Sequence, residues 1–236
     1  SWLSGPLEVP AWGANTVRTE FAFLTGLGEA QLGVHKFNPY RKLSVPIPTL
    51  ASLLKEKGYR TICIHPYPAS FYKRDKIYPL LGFDEFIDIN QFSGAQRNGP
   101  FISDVAVAEK MAAILKDTAK QPIFLFVITM ENHGPLHLER VSQADVDRYH
   151  RVPPPEGCED LTVYLRHLAN ASKMAEILRR YLNSLSGDAW LIWFGDHVPI
   201  MPTVYSRLGQ PDGRTEYVIW RKGGMSPAGV DKPCLL

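Results

Sequence analysis

A carboxylate and an imidazole stand side by side in Gly195-Asp196-His197, directly after the apolar run 189–194. A hard oxygen donor beside a borderline nitrogen donor suits Zn2+ or Mn2+, and the pair alone does not choose between them. A second polar cluster, Glu131-Asn132-His133-Gly134-Pro135, follows the apolar run 123–130. Its imidazole could donate to a phosphoryl or leaving-group oxygen. His65, and then Ser70-Phe71-Tyr72-Lys73-Arg74-Asp75, follow a third run at 59–64. Arg74 there offers a two-pronged phosphate contact, while Pro66 and Pro68 make a rigid turn after His65. Thr16 supplies a hydroxyl in the segment 13–24, which has the pattern of a loop feeding a helix. Asn15 or Thr16 takes the N-cap, Phe21, Leu24 and Leu27 face inward, and the hydroxyl lies in the positive field of the helix start, where a phosphate is also welcome. Singly, these residues also fit a plain helix cap, a strand-terminating Asp and solvated loop histidines. Their convergence favours chemistry, because ligands of open α/β sheets bind beyond the carboxyl ends of the strands.

The elements that must position these groups alternate along the chain. Near-continuous apolar runs at 59–65, 122–130, 189–195 and 216–221 read as strands of a parallel sheet covered on both faces. Helices are expected over 49–57, ending at Gly58, over 103–116, and over about 160–185, the last with Leu161, Leu165, Leu168, Ala175, Leu178 and Leu182 as its apolar stripe. This alternation implies an α/β three-layer sandwich with a mostly parallel central sheet, formed by residues 1–236 as a single domain. The polar, Pro-rich stretches 88–100 and 136–157 read as surface excursions.

Composition narrows the classes. With 45% hydrophobic and 21% charged residues the chain is ordinary globular material, and a net charge of +2 without a Lys/Arg run gives no case for nucleic acid. No stretch approaches the ~20 continuous apolar residues of a membrane span, and no signal-peptide pattern opens the chain. The absence of an initiator Met points to a trimmed fragment. Cys63, Cys158 and Cys234 fit neither a disulfide framework nor a zinc knuckle, and Cys63 reads as a packed core thiol. No Gly-x-Ser-x-Gly elbow is present, which disfavours a Ser-His-Asp hydrolase.

Taken in order, these segments resemble the lipoteichoic acid synthase-like, phosphoglycerol transferase branch of the alkaline-phosphatase/sulfatase superfamily. Asn15-Thr16-Val17-Arg18-Thr19-Glu20-Phe21 is similar to its nucleophile segment, Thr129-Met130-Glu131-Asn132-His133-Gly134-Pro135 to its Asn-His-x-Pro segment, and Gly195-Asp196-His197 to its metal segment. Ser70-Phe71-Tyr72-Lys73-Arg74-Asp75 stands where the family has Phe-Trp-Asn-Arg-Asp, with Tyr for Trp and Lys for Asn. The resemblance implies an alkaline-phosphatase-like fold, Thr16 as nucleophile and metal ligand, Asp196 and His197 as further ligands, and His133, Arg74, Tyr72 and His65 around the substrate. It implies a divalent metal, Mn2+ foremost with Zn2+ or Mg2+ as options, and a phosphothreonine intermediate. The donor is then a lipid-linked phosphoglycerol, the acceptor a glycan or polymer, and the location the outer face of a bacterial cytoplasmic membrane, with the parent protein membrane-anchored. The family's remaining ligand is a Glu on its first strand. Only Glu8 precedes Thr16, in Pro6-Leu7-Glu8-Val9-Pro10, which does not resemble that strand end, so the first strand is expected to lie outside this sequence. A phosphodiester or sulfuric ester hydrolase of the same superfamily is the first rival; the Cys/Ser-x-Pro-x-Arg pattern of sulfatases is absent around Thr16. A non-catalytic binding domain is the second.

Overall fold

The computed structural model describes residues 2–116, 121–224 and 234–235. In chain order its elements are β1 (Trp2–Glu8), α1 (Thr16–Thr25), α2 (Glu29–Leu32), α3 (Leu50–Glu56), β2 (Arg60–Ile64), α4 (Arg74–Leu80), β3 (Glu85–Ile87), β4 (Arg97–Asn98), β5 (Phe101–Ile102), α5 (Asp104–Leu115), β6 (Ile123–Val127), α6 (Gln143–Tyr149), α7 (Glu159–Ser184), β7 (Trp190–Phe194), α8 (Pro202–Leu208), β8 (Thr215–Arg221) and β9 (Cys234–Leu235). Short 3-10 turns fill several connections.

Strand β2 is the axis of the first sheet, paired in parallel with β3 on one side and β6 on the other. Successive strand side chains point to opposite faces, and here both faces are covered. Cys63, Phe124 and Phe126 meet Val17, Phe21 and Leu24 of α1, Ala51 of α3, and Ile77 and Tyr78 of α4. On the other face Ile62, Ile64, Leu125 and Val127 meet Val107 and Met111 of α5 and Met174 and Leu178 of α7. The layers are therefore helix, sheet, helix, as expected for an α/β sandwich. Cys63 is fully buried in this core.

The second sheet has the order β7-β8-β1-β9, and here the run 216–221 is the exception to the mostly parallel course expected: β8 runs antiparallel to both β7 and β1. An apolar run shows that a strand is buried, while its direction depends on the connection, which periodicity does not carry. The two sheets lie in the same layers. Phe23 of α1 stacks on Phe126 of β6 at 5.5 Å and meets Phe194 of β7 at 5.0 Å. On the opposite face Leu125 and Leu191 share one cluster.

Caps set the helix limits. Thr49 and Ser52 form a capping box for α3, and Ser103 caps α5 by accepting from the Ala106 N–H. Helix α1 ends at Gly26 with φ 71°, so Leu27 lies past the helix and is 38% exposed, against the inward position expected for it. The buried stripe of α7 is also displaced from expectation. Val163, His167, Ala171, Met174, Leu178 and Leu182 face in, and Leu168 faces solvent. His167 can occupy the stripe because Glu139 pairs with its Nε2 at 3.1 Å. Both stretches read as irregular contain short elements, β4 in 88–100 and α6 in 136–157, the latter started by a Ser142–Asp145 capping box.

Gly82 makes a sharp test of the packing between α3 and the α4–β3 turn. It has φ +92°, and a Cβ there would sit 2.7 Å from the Ser52 backbone. Gly82→Ala is expected to destabilise the protein by about 2–3 kcal/mol, from the left-handed backbone and the overpacking together. Urea unfolding with an unchanged m-value and a midpoint equal to that of the parent protein would contradict this.

Candidate active site

The nucleophile candidate sits where a loop turns into α1. Asn15 precedes the helix in the left-handed region, φ 67° and ψ 46°, and its side chain makes no cap bond. Its Oδ1 instead accepts from the Tyr72 hydroxyl at 3.2 Å. Thr16 is thus the first helical residue, half-buried, with its Oγ1 3.4 Å from His197 Nε2.

The strand end after β7 is fastened to this loop from several directions. The Gly13 N–H donates to Val198 O at 3.0 Å, and Thr19 Oγ1 donates to Asp196 O at 2.7 Å. Below, Thr215 Oγ1 donates to Gly195 O at 2.7 Å. The His197 ring is held by its Nδ1–H, which donates to Val198 O at 2.9 Å. A carbonyl oxygen can only accept, so Nδ1 carries a proton, which leaves Nε2 as the nitrogen free for a further partner. Nε2 faces both Thr16 Oγ1 and Asp196 Oδ2, the latter at 3.3 Å.

These separations test the fit of a cation. Ligand atoms bound at ~2.0–2.1 Å around one tetrahedral ion lie ~3.3–3.4 Å apart, the spacing of both measured pairs. Hydroxyl, carboxylate and imidazole are also a suitable donor set for Zn2+ or Mn2+. Among the described residues no group of three His, Cys, Asp or Glu side chains gathers; the third donor beside Asp196 and His197 is the Thr16 hydroxyl.

The remaining candidates fall at different depths. Tyr72 reaches the nucleophile loop through Asn15. Arg74 lies beneath, only 1% exposed, and is ion-paired with Glu20, itself 3% exposed. The carboxylate of Glu20 also accepts from Tyr78 at 2.7 Å and from Tyr40 at 2.9 Å. Burial pushes the Glu20 carboxyl up, but the Arg74 charge and hydrogen bond more than offset it, and the group is held below the usual carboxylate range. One guanidinium nitrogen, Arg74 Nη1, is buried without a hydrogen-bond partner. His65 is 2% exposed and donates from Nδ1 to Ile128 O at 3.1 Å. Burial first, and then the Arg74 charge, lower its pKa to about 4, so it is neutral at physiological pH. His133 stands exposed, with Nδ1–H donating to Gly134 O at 2.6 Å and Nε2 left outward.

Ring contacts connect His133 to the nucleophile loop: His133 to Phe101 (5.8 Å), Phe101 to Tyr67 (6.5 Å), Tyr67 to Phe71 (5.2 Å) and Phe71 to Tyr72 (4.5 Å). The structure thus brings Thr16, Asp196 and His197 together, joins Tyr72 and His133 to them along one aromatic wall, and sets Arg74 and His65 in the layer below. Sequence reasoning named Asn15 only as a cap, which it is by position, and gave Glu20 no role. Glu20 sits one turn after Thr16, on the same face of the helix, and a charge in the midst of Phe21, Ala22 and Leu24 was the available signal.

Comparison with known proteins adds three findings. The sulfatase family model matches residues 5–233. The capsular polysaccharide biosynthesis protein RkpI of Rhizobium meliloti is 31% identical over 210 residues, 88% of this chain and 36% of that protein. Two solved structures superpose with a TM-score of 0.74 at 22% identity. They are the Streptococcus pyogenes phosphoglycerol transferase GacH in complex with sn-glycerol-1-phosphate (94% of this chain, 59% of that one) and the Listeria monocytogenes lipoteichoic acid synthase LtaP (96% and 58%). At that identity the two structures establish the shared fold. The chain spans about a third of the length of the curated relative and under two thirds of the solved chains.

Removing the carboxylate under the site leaves a buried guanidinium without its anion. Glu20→Gln is expected to cost about 3–5 kcal/mol in thermal or urea unfolding. Because the folded pKa of Glu20 is depressed, its contribution is present above the unfolded value of about 4.3 and fades as pH falls through the folded one. The stability difference between the parent and Glu20→Gln should therefore shrink on acidification below about pH 4. A gap that stays constant down to pH 2 would contradict the ion pair.

Proposed function

This chain belongs to the sulfatase family, and from that premise we propose that it is the catalytic part of a metal-dependent phosphotransferase with Thr16 as nucleophile. The reading rests above all on the approach of Thr16 Oγ1 to His197 Nε2, at 3.4 Å, beside Asp196 Oδ2. Thr16, Asp196 and His197 are the residues that would hold a divalent cation, Mn2+ foremost and Zn2+ or Mg2+ as options. Such an ion, when bound, lowers the pKa of a coordinated hydroxyl and offsets charge on a phosphoryl group.

The chain's own residues account for the rest of the chemistry. Helix α1 presents Thr16 at its N-terminal end, where the backbone dipoles favour an anionic phosphoryl group. Attack by Oγ1 forms an O–P bond and breaks the bond to the leaving oxygen, giving a phosphothreonine. The threonine proton leaves with the departing alcohol or to solvent. An acceptor hydroxyl then attacks phosphorus, its own proton leaves, and the bond to Thr16 Oγ1 breaks. His133 Nε2, turned outward by the Nδ1–H bond to Gly134 O, can meet phosphoryl oxygens from the rim. Tyr72 lies on the wall between the two, and the unpaired Nη1 of Arg74 is the donor left for a group that settles there.

GacH, a phosphoglycerol transferase, binds sn-glycerol-1-phosphate, and RkpI belongs to capsular polysaccharide biosynthesis. These relatives support a phosphoglycerol-type donor carried on a lipid and a glycan or polymer acceptor in the bacterial cell envelope. No helix among the described residues is long and apolar enough to cross a membrane.

The natural full-length protein, supplied with Mn2+ and a fluorescent phosphatidylglycerol, is expected to release fluorescent diacylglycerol. Thr16→Ala should abolish turnover, by a factor on the order of a thousand or more for loss of a nucleophile, with the circular dichroism spectrum and melting temperature retained. Turnover of Thr16→Ala equal to the parent's would remove Thr16 from the mechanism. Turnover of an aryl sulfate in place of the lipid would shift the reading to sulfuric ester hydrolysis.

A further inference from the structure

Two residues before His133 lies Glu131, a fully buried carboxylate with no place in the chemistry above. Three elements distant in sequence converge on it. Its Oε1 accepts from Asn98 Nδ2 of β4 and from Asn170 Nδ2 of α7, both at 2.6 Å. Its Oε2 accepts the backbone N–H of Asp104, the first residue of α5, at 2.6 Å. An anion at that point also faces the positive end of a 12-residue helix. The cost of burying the charge is offset by these three bonds and the helix field.

Asn132, the next residue, is drawn into the same node: its Nδ2 donates to Asp104 Oδ2 at 3.4 Å. Asp104 Oδ1 and Asn132 Oδ1 are both buried acceptors without a partner. Burial, and then the nearby Glu131 charge, raise the Asp104 carboxyl to about 7.

We infer that Glu131 is a positioning residue, whose buried carboxylate ties the β6 exit loop to β4, α5 and α7 and so fixes where His133 stands. The inference rests on the reading of His133 as a group that meets the phosphoryl oxygens. No residue between Glu131 and His133 except Asn132 can take up slack, and Asn132 is held by the same node. The ring of His133 is then set by its own Nδ1–H bond to Gly134 O and by the edge contact with Phe101, which follows Asn98 in the β4–β5 hairpin. Glu131 therefore places both the imidazole and the ring that supports it.

The node also dictates which substitution breaks it and which repairs it. In Glu131→Gln an NH2 group replaces one oxygen: at the Oε2 position it faces the Asp104 backbone N–H, which cannot turn away, and at the Oε1 position it confronts two amide donors. Asn98 can rotate its amide and accept. Asn170 cannot do so freely, because its Oδ1 already accepts from Lys173 Nζ at 3.0 Å, and rotation would turn its NH2 on the ammonium. Asn170→Asp in the same chain restores an acceptor both for the new amide at position 131 and for Lys173.

The test uses the full-length protein as parent, Glu131→Gln, and the Glu131→Gln/Asn170→Asp pair, each followed by hydrogen exchange, thermal unfolding and lipid turnover. Glu131→Gln is expected to lose about tenfold of its exchange protection at residues 131–135 while β2 and β6 keep theirs. Its kcat should fall by about a hundredfold, as for a misplaced catalytic group, with KM within about twofold. The paired substitution should restore both, and Glu131→Gln should add nothing to the loss caused by His133→Ala. Unchanged protection at 131–135, or equal loss across all segments, or a pair that restores nothing, would overturn the inference. Should Glu131→Gln not fold, Asn98→Ser and Asn170→Ser each remove one donor and must show the same local loss, in smaller degree. Absence of lipid turnover in the parent would defeat the functional reading alone, since the exchange data judge the node without it.

Discussion

The buried ion pair of Glu20 with Arg74 is the constraint on which the placement of Thr16 depends. Glu20 lies one turn beyond Thr16 on α1, so any rotation of the helix about its axis that moved one would move the other. Glu20 has no freedom to move: Arg74 of α4, Tyr78 of α4 and Tyr40 all bond its carboxylate. Thr19, from a neighbouring position on the same helix, is tied to Asp196 O. Apolar packing of Val17, Phe21 and Leu24 would tolerate small rotations of α1, because dispersion contacts are weakly directional. The charged and hydroxyl bonds do not. A buried pair of this kind contributes little net stability compared with an apolar replacement, and its service here is orientation.

Orientation recurs in the imidazoles. His65, His133 and His197 each donate from Nδ1 to a backbone carbonyl, which fixes the tautomer and leaves Nε2 as the available nitrogen. The consequence depends on depth. For His65, buried between β2 and the strand end after β6, the outcome is a neutral ring that packs on Tyr67. For His197 it is an Nε2 that faces Thr16 and Asp196, and for His133 an outward nitrogen on the rim. One local device thus yields a core residue, a ligand candidate and a surface group, according to where the strand end lies.

Much of this arrangement was legible in the sequence, and the part that was not has physical reasons. Strands β2, β6, β7 and β8 showed themselves as apolar runs, and α3, α5 and α7 by periodicity with Thr49 and Ser103 as caps. Strand β1 did not, because Ser4, Gly5 and Pro6 interrupt it and its pairing with β8 is decided by tertiary contact. The antiparallel course of β8 was hidden for the same reason that strand direction always is in an apolar run. The stripe of α7 was misplaced because only apolar residues were counted as inward, whereas Glu139 gives the Nε2 of His167 a partner in the core. At the site, Thr16, His133, Asp196 and His197 could be picked out as candidates from strand ends and motif order. Glu20, Glu131 and Asp104 could not, since a carboxylate that orients a neighbour leaves no spacing signature. Only the partners it finds in the fold reveal it.

The pocket's backbone bears on how its departures from the family pattern should be understood. Among the described residues, three non-glycine positions have positive φ: Asn15, Tyr72 and Lys73. All three are at the nucleophile loop or the segment that meets it through the Tyr72–Asn15 hydrogen bond. Left-handed backbone costs on the order of 1–2 kcal/mol for an L-residue, and least for Asn. Arg74 offsets part of this by placing its guanidinium 5.3 Å from the Tyr72 ring. The resembling family usually has Asn where Lys73 stands, which is the residue best suited to that conformation. A lysine there keeps the turn while giving up that ease, and its side chain is exposed. The difference thus exchanges a residue at ease in this backbone for an exposed ammonium, while the left-handed turn that carries Tyr72 into Arg74 is kept.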